Sequence, residues 1–327
     1  MLLAVVETDA GTVTNGSLEA LTLARSLAAD TGESLHAATF GSQQDLAATL
    51  SEYGVAVLHV VAGDVTAEYS PQRWGVGLAE LVTTAGAVGV VATASDRGNE
   101  FLADAAARGG HPFASNCVAA QSGDGAWEVT RLRGGGILLE DAALTDSVAF
   151  LSLSAGAVEP VAAESAAECL VETHAVELPP DLPACTIVER TTRDSGVSLA
   201  TASIVVSGGR GVGSAEGFAE LEELAELLGG AVGCSRVATN AGWRPHSDQV
   251  GLTGTKITAD LYIACGISGA TQHWVGCMGA KSILAINNDP EAAMVLRSDY
   301  AVIGDLHKVL RGVNERIRAR KELPGAA

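Results

Sequence analysis

The sequence predicts an α/β protein of two domains, each a mostly parallel sheet flanked by helices. Two observations support this class. Short apolar runs alternate with segments of helical periodicity in two separate parts of the chain. The apolar residues are mostly small, and aromatic residues make up only 4% of the sequence, which suits Val-rich parallel strands. A chain of 327 residues has room for two cores.

The first series of alternating elements covers the N-terminal third of the chain. The apolar run Leu2–Glu7 predicts a buried first strand rather than a signal peptide, because no basic segment precedes it. A helix is predicted to follow, with Ser17 as its N-cap and Gly32 at its end. Further strands are predicted at 35–41, 55–63 and 87–95, and further helices at 45–54 and 74–86.

The pattern changes between residues 112 and 190. Short apolar segments at 126–133, 134–141 and 147–156 are joined by turns rich in Gly or Asp, which favours antiparallel hairpins. The acidic, Ala-rich stretch 159–168 is expected to be an exposed connection. Three prolines within residues 179–183 exclude a regular helix there. Residues 186–194 are predicted to add one more edge strand.

A second series begins at Ser203. Its strands are predicted at 203–211, 231–238, 261–269, 282–289 and 300–305, and its helices at 216–230, 270–276, 290–296 and 306–320. The sequence therefore predicts an N-terminal α/β domain at 1–192 with antiparallel additions, a linker at about 193–202, and a second domain at 203–327.

Charge and cysteine usage limit the possible functions. The formal net charge is −19 and the isoelectric point is about 4.6, so the surface repels phosphate backbones and nucleic-acid binding is not expected. No apolar run reaches the roughly 20 residues that span a bilayer, so no membrane insertion is predicted. The six cysteines show no metal-ligand spacing and are interpreted as reduced, small apolar residues of a cytoplasmic protein.

Lysine is scarce in this acidic chain. The sequence contains only four lysines, Lys256, Lys281, Lys308 and Lys321, and the other basic residues are arginines. Abundant carboxylates with few lysines are typical of proteins from salt-loving organisms, in which salt screens the repulsion between surface charges. The alternative is an acidic docking face for a basic partner, and both interpretations are compatible.

Polar and glycine-rich turns follow each predicted strand of the second series. They are SGGRGVGS, GCSR, GISGATQH, INND and GD. Ligands of open parallel sheets bind at the carboxyl ends of the strands, so the turns predict a nucleotide-type site. The first turn approximates the G-x-G-x-x-G pattern, but its third glycine is missing and no acidic residue ends the second strand. A nicotinamide site is therefore not favoured.

The order and spacing of these turns carry a resemblance to a known family. The segments 207–211, 231–236, 241–245, 249–254, 262–273, 285–292 and 299–310 resemble the FAD-binding domain of electron transfer flavoprotein alpha subunits. The N-terminal part is similar to the first domain of that family, though less specifically. The resemblance implies a Rossmann-like FAD-binding fold for the second domain.

The resemblance also implies a set of cofactor-binding residues. They are Arg210, Ser235, Arg236, Gln249, Val250, Gly251, Leu252, Thr253, Gly266, Ser268, Gly269, Ala270, Thr271, Gln272, His273, Asn287, Asp305 and Leu306. Ser268, Gly269 and Gln272 are expected at the ribityl and pyrophosphate part. Asn287 and Asp305 are expected at the ribose and adenine end. No catalytic residue and no metal ligand is predicted, and the other six histidines, which show no ligand spacing, are given no chemical role.

Three residues are expected to contact the flavin ring. Arg236 matches the arginine over the isoalloxazine, where its charge stabilises the anionic reduced flavin. Thr253 matches the threonine that hydrogen-bonds N5, and His273 matches the histidine at the N1/C2 edge. Each has a structural alternative: a surface ion pair for Arg236, a turn residue for Thr253 and a core residue for His273.

Two residues depart from the family pattern. Leu252 stands where the family usually has Gln, so one polar contact to the cofactor is expected to be absent. Asn288 stands where Lys often follows the Asn, which removes a charge near the adenine end. Neither position is expected at the isoalloxazine.

The resemblance implies an electron carrier rather than an enzyme. Such a chain is the alpha subunit of a heterodimer with a beta subunit, holds FAD, and passes electrons from flavin dehydrogenases, such as acyl-CoA dehydrogenases of fatty-acid oxidation, to a quinone oxidoreductase. Three alternatives remain: a bifurcating, NADH-linked member of the family, an NAD-dependent dehydrogenase, and a module that senses adenine nucleotides through the N-terminal domain.

Overall fold

The computed structural model describes residues 1–41, 44–123, 125–188 and 197–321. The chain divides into two compact units, Met1–Thr191 and Thr192–Ala327. The predicted linker at 193–202 lies partly outside the described residues. At its described end, Leu199 and Ala202 are buried in the core of the second unit.

The described part of the first unit contains a nine-stranded sheet. Its strands lie in the order β11-β5-β4-β1-β6-β10-β7-β8-β9. Neighbours from β11 to β7 are parallel, whereas β7–β8 and β8–β9 are antiparallel. The strands are β1 Leu2–Val5, β4 Leu35–Phe40, β5 Val57–Gly63, β6 Gly89–Thr93, β7 Phe113–Gly123, β8 Ala126–Arg133, β9 Leu138–Leu144, β10 Ala149–Leu153 and β11 Leu170–Val176, and a separate small hairpin pairs β2 Thr8–Asp9 with β3 Thr12–Val13.

Helices cover both faces of this sheet because its parallel strands need long crossovers. They are α1 Asn15–Thr31, α2 Ala47–Glu52, α3 Pro71–Ala85 and α4 Asp96–Gly109. Leu21 and Leu27 of α1 belong to the core on one face. Leu78 of α3 and Phe101 of α4 belong to the core on the other face.

Two predictions for the first unit are wrong. Helix α1 begins earlier than predicted: Thr14 is the N-cap, its side chain accepts a hydrogen bond from the Ser17 amide, and Ser17 lies inside the helix. The segment predicted as an antiparallel strand at 147–156 forms β10, which is parallel to both β6 and β7. All five β10 residues are buried, and a continuous buried run is typical of a central parallel strand.

The first unit also contains elements that the sequence did not predict, namely α4 and the strands β2, β3, β7 and β11. Residues 177–185 contain no helix, as the prolines indicate. Residues 186–188 form no strand, and the rest of the edge strand expected at 186–194 lies outside the described residues.

In the second unit, the described residues form a five-stranded, fully parallel sheet in the order β13-β12-β14-β15-β16. The strands are β12 Ile204–Gly208, β13 Ala231–Cys234, β14 Leu261–Cys265, β15 Ile283–Asn287 and β16 Tyr300–Ile303. The helices are α5 Ala219–Leu228, α6 Arg236–Asn240, α7 Thr271–Cys277, α8 Ala293–Arg297 and α9 Leu306–Lys321. The strand order reverses between β12 and β14, which is where Rossmann-like sheets bind their ligands. The predicted α/β fold class is confirmed.

Among the described residues, we find no helix with the length and apolar character needed to cross a membrane.

Candidate functional site

The turns after β12 and β14 pack backbone to backbone at the switch point. The Gly209 amide donates to the Cys265 carbonyl at 2.9 Å, and the Gly211 amide donates to the Gly266 carbonyl at 3.0 Å. A Cβ atom on Gly209 would lie 2.4 Å from the Gly266 oxygen, and Gly266 itself has a φ of 62°. Glycine is required here because any side chain would separate the two turns.

Ser235 and Arg236 follow β13 at the same edge of the sheet. Ser235 is buried, and its Oγ has no hydrogen-bond partner among the described residues. Arg236 is exposed, and its guanidinium makes no ion pair or hydrogen bond within the part of the chain that the structure describes. The surface ion pair considered as the alternative for Arg236 is therefore not seen, and its charge is available to a ligand.

The loop 249–254 lies between the end of β13 and α7. The Val250 amide donates to the Cys234 carbonyl at 2.9 Å, and the Leu252 amide donates to the Gln272 carbonyl at 2.6 Å. The buried Val250 side chain belongs to the core. A Cβ on Gly251 would lie 2.9 Å from the Gln272 oxygen. The loop thus holds a fixed position against both neighbours.

Gln249 fixes the conformation of this loop through two side-chain hydrogen bonds. Its Nε2 donates to Thr253 Oγ1 at 3.0 Å, and its Oε1 accepts from Thr239 Oγ1 at 3.2 Å. Gln249 is buried, whereas Thr253 and Leu252 are exposed. Thr253 is therefore oriented by the protein while its hydroxyl proton remains available for a further hydrogen bond. Thr239 was not predicted, and its pairing with Gln249 leaves no recognisable spacing in the sequence.

The turn from Gly266 to Gln272 contributes the next predicted residues. Gly269 has a φ of 80°, and a Cβ there would lie 2.2 Å from the Met294 amide nitrogen. This glycine therefore lets the turn approach the start of α8. The turn leaves the following residues exposed: Ser268, Ala270, Thr271 and Gln272.

His273 is enclosed by protein rather than presented openly. Its Nε2 lies 2.6 Å from the Tyr262 hydroxyl, and the side chain is buried. Its Nδ1 faces the Val250 backbone but has no hydrogen-bond partner of normal geometry among the described residues. Burial lowers the pKa of His273 to about 4 and raises the pKa of Tyr262 well above its usual value. Both groups are therefore neutral near pH 7.

The contact with Tyr262 was not predicted, because a single Tyr in an apolar strand carries no functional pattern. It gives His273 a structural partner, in line with the core alternative for this residue. The role of His273 toward a flavin stays a prediction.

The remaining predicted residues flank the same turns. Asn287 is buried; its Nδ2 donates to the Ile267 carbonyl at 3.0 Å and its Oδ1 accepts from the Asp289 amide at 3.1 Å. Asp305 accepts from the Lys308 amide at 3.0 Å and so caps α9. Leu306 is buried against the Gly266 turn. Arg210 is exposed, without an ion pair among the described residues.

The assembled edge fits a large, polar, anionic ligand. A buried hydroxyl at Ser235 lacks a partner within the described residues, although buried polar groups are normally hydrogen-bonded. Exposed arginines at 210 and 236 supply charge, and the loop 249–254 and the Gly266 turn are hydrogen-bonded side by side. These features match the polar ring and pyrophosphate of FAD.

The first unit contains a second group of polar residues that the sequence did not predict. His36, His59 and His174 were given no role, yet the structure places them in contact. The pKa of His59 is lowered to about 4, mainly by burial and to a smaller extent by the neighbouring His36 and His174.

Comparisons with known proteins find two domains of one family in the chain. Residues 2–179 match the electron transfer flavoprotein domain, and residues 198–278 match the electron transfer flavoprotein FAD-binding domain. Electron transfer flavoprotein subunit alpha of Mycobacterium leprae is 36% identical over 326 residues, covering 98% of both chains. The Bacillus subtilis subunit alpha is 52% identical over 123 residues, which is 38% of each chain.

A solved structure of a putative thiamin diphosphate-dependent enzyme isolated from Mycobacterium smegmatis aligns with 95% of this chain and 59% of its own. Its identity is 14% and its TM-score is 0.25, so we draw no conclusion from it. The two domain matches and the full-length relative are decisive: the chain belongs to the electron transfer flavoprotein alpha-subunit family, has FAD as its cofactor, and serves in electron transfer rather than as a classical enzyme.

Proposed function

We propose that this chain pairs with an electron transfer flavoprotein beta subunit in the cytoplasm. The heterodimer carries electrons from flavin dehydrogenases, such as acyl-CoA dehydrogenases of fatty-acid oxidation, to a quinone oxidoreductase of the respiratory chain. The observation that carries the proposal is the pair formed by the buried, unpartnered Ser235 Oγ and the exposed, unpaired Arg236 among the described residues at the carboxyl edge of the second sheet. A flavin held there remains accessible to protein redox partners.

Three side chains would tune the bound flavin. FAD supplies the redox chemistry, and the protein supplies position and charge. Arg236 offers a fixed positive charge for the electron-rich reduced ring, because guanidinium stays protonated at all physiological pH values. Thr253, oriented by Gln249, offers its hydroxyl to ring N5. His273, held by Tyr262, would place a neutral imidazole near the N1/C2 edge.

The other predicted residues would bind the rest of the cofactor. Ser268, Gly269 and Gln272 would hold the ribityl and pyrophosphate part, with Arg210 adding charge. Asn287 and Asp305 would contact the ribose and adenine end mainly through the turns that they stabilise. Exposed Leu252 offers no polar group where the family usually has Gln.

A nicotinamide-binding role is less well supported by the first turn. The amides of Gly209 and Gly211 donate to the carbonyls of Cys265 and Gly266. A pyrophosphate cradle needs such amides to be free to face the ligand. These two amides therefore link the turns at the switch point and are not free to donate to the pyrophosphate of NAD.

The proposal is tested with the chain co-expressed with its beta subunit. We expect a yellow heterodimer with stoichiometric FAD, reduced anaerobically by an acyl-CoA dehydrogenase and its substrate, and not by NADH alone. A reaction without acyl-CoA is the control. Direct reduction by NADH would instead support the bifurcating alternative. A colourless protein that binds NAD, or one that binds only free adenine nucleotides, would contradict the proposal.

We further propose a salt-loving source for the chain, on the basis of its net charge of −19. Salt should raise the melting temperature because it screens repulsion between carboxylates. The check is a melting curve in low and in molar NaCl. An unchanged or lower melting temperature at high salt would argue against this origin.

A further inference from the structure

A row of three imidazoles crosses neighbouring strands of the first sheet. His59 of β5 is opposite Ala38 of β4 and opposite Glu172 of β11. His36 precedes Ala38 by two residues, and His174 follows Glu172 by two, so all of these side chains share one face. His36 Nδ1 lies 2.9 Å from His59 Nε2, and His59 Nδ1 lies 2.9 Å from His174 Nε2.

Three potential ligand atoms converge at one end of this row. His59 Nδ1 lies 2.9 Å from His174 Nε2 and 3.5 Å from a Glu172 carboxylate oxygen, which is 3.8 Å from His174 Nε2. Atoms bound tetrahedrally to one zinc ion, at about 2.1 Å each, are separated by about 3.4 Å. The three separations bracket this value, so one ion could reach all three atoms after only small side-chain adjustments.

We propose that His59, Glu172 and His174 form a binding site for a divalent transition-metal ion of the zinc class. The described residues contain this one group of three side chains with suitable ligand atoms within 4.8 Å of one another. Two imidazoles and one carboxylate are a donor set that suits zinc and neighbouring divalent ions. Mg²⁺ and Ca²⁺ prefer oxygen ligands throughout.

The third histidine of the row, His36, contacts the ring nitrogen of His59 that does not face the proposed ion. When His59 Nδ1 binds a metal, its Nε2 must carry the ring proton and donate to His36 Nδ1. His36 Nε2 can then donate to Ser34 Oγ, which lies 3.0 Å away. A ligating histidine characteristically donates its other N–H to such an acceptor, which fixes the tautomer and the ring orientation. His36 is thus a positioning residue for the proposed site.

Burial and exposure are distributed as a metal site requires. His59 is 3% exposed and sits on the rigid framework of the sheet. Glu172 has a half-exposed side chain and His174 is partly exposed, so an ion can enter from solvent and a water can complete the coordination. The N-terminal ammonium, the cation near His36, is paired with Glu33 at 2.8 Å.

The test uses the full chain, freed of any affinity tag and treated with a chelator. Zn²⁺ is titrated by calorimetry at neutral pH, and Co²⁺ is followed by its visible absorption, which reports coordination geometry. We expect one equivalent of Zn²⁺ to bind, a Co²⁺ spectrum of a four- or five-coordinate ion, and no comparable heat with Mg²⁺. Absence of specific Zn²⁺ binding would overturn the proposal.

Variants locate the bound ion. Glu172→Gln and His174→Gln change only partly exposed side chains, and each should weaken Zn²⁺ binding by more than 10-fold. His36→Ala should weaken it by roughly 10- to 100-fold without changing the stoichiometry. His111→Gln is the matched control, because His111 also lies in the first unit beside a carboxylate, that of Asp146 at 3.2 Å. It should leave the affinity unchanged.

Binding that persists in both the Glu172→Gln and His174→Gln variants would place the ion elsewhere, for instance on the free thiol of exposed Cys185, and would refute the site. Circular dichroism of each variant shows that any loss of affinity does not arise from unfolding.

Discussion

The hydroxyl of Tyr262 on β14 lies 2.6 Å from Nε2 of His273 on α7, and both side chains are buried. The contact joins the central strand of the second sheet to the helix that follows the Gly266 turn of the candidate site. Since burial keeps the phenol protonated and the imidazole neutral near pH 7, this is a hydrogen bond between neutral groups. When Tyr262 is the donor, the ring proton of His273 resides on Nδ1.

Replacing Tyr262 by Phe tests this relationship. Loss of the hydroxyl leaves a buried imidazole nitrogen without its partner, which should lower the free energy of unfolding by about 1–3 kcal/mol. We also expect weaker FAD retention, because His273 and its turn lose their support. Urea denaturation and the FAD-to-protein ratio measure the two effects. Tyr300→Phe is the control, since Tyr300 is 65% exposed; equal effects of the two variants would contradict the argument.

Gly269→Ala tests the approach of the α7 turn to α8. Both Gly269 and Gly229 have left-handed backbone conformations, with φ values of 80° and 66°. A Cβ at Gly269 would lie 2.2 Å from the Met294 amide nitrogen, whereas a Cβ at Gly229 meets nothing within 4 Å.

Both Ala substitutions should cost about 1–2 kcal/mol of stability through backbone strain. Only Gly269→Ala should add a packing penalty of about 1–3 kcal/mol and reduce FAD binding. The melting temperatures of Gly269→Ala and Gly229→Ala are compared, and their difference measures the effect of the close contact with Met294. If Gly229→Ala proved the more damaging, the proposed close approach would be wrong.

Arg236→Ala should lower the reduction potential of the bound flavin while leaving the fold intact. The guanidinium is exposed and unpaired within the described residues, so little stability depends on it. In the proposed site, its removal would withdraw positive charge from the electron-rich reduced ring. Spectroelectrochemical titration measures the potential, and Arg316→Ala is the control because Arg316 is an exposed arginine on α9. An unchanged reduction potential would show that Arg236 does not lie at the flavin ring.

The stability of the chain should fall on mild acidification partly because of His273. Its folded pKa of about 4 lies below the value of about 6.5 for an unfolded chain. Between these values the unfolded state binds a proton that the folded state does not, so stability present above pH 6.5 is lost as the pH falls toward 4. The loss is on the order of 3 kcal/mol at pH 4.

His273→Gln should be less stable than the unmodified chain at pH 7.5, and the difference should shrink toward pH 4.5. Urea denaturation at several pH values measures the difference, in which the contribution of His59 cancels. His246→Gln, at an exposed position of the same unit, is the control. A difference that stays constant with pH would show that His273 is not buried in its neutral form.

Much of the second unit was predictable from sequence because its information is local. Each strand, turn and helix follows directly along the chain, so SGGRG, GCSR and GISGATQH could be assigned to one sheet edge from the rule that parallel strands share their carboxyl ends. The first unit was less predictable. The sequence predicts β10 as a hairpin strand, because nothing near residues 149–153 indicates that β6 and β7 are its neighbours.

The sequence by itself determined the α/β class, and it gave the order of the turns and the residue types at the candidate site. Only the tertiary structure decided which side chains meet. Tyr262 reaches His273 because the turn after β14 folds α7 back beside its own strand, and His59 reaches Glu172 and His174, more than 110 positions later, because β11 pairs with β5. Sequence patterns report periodicity along one segment, whereas sheet order brings together residues whose separation in sequence carries no signal.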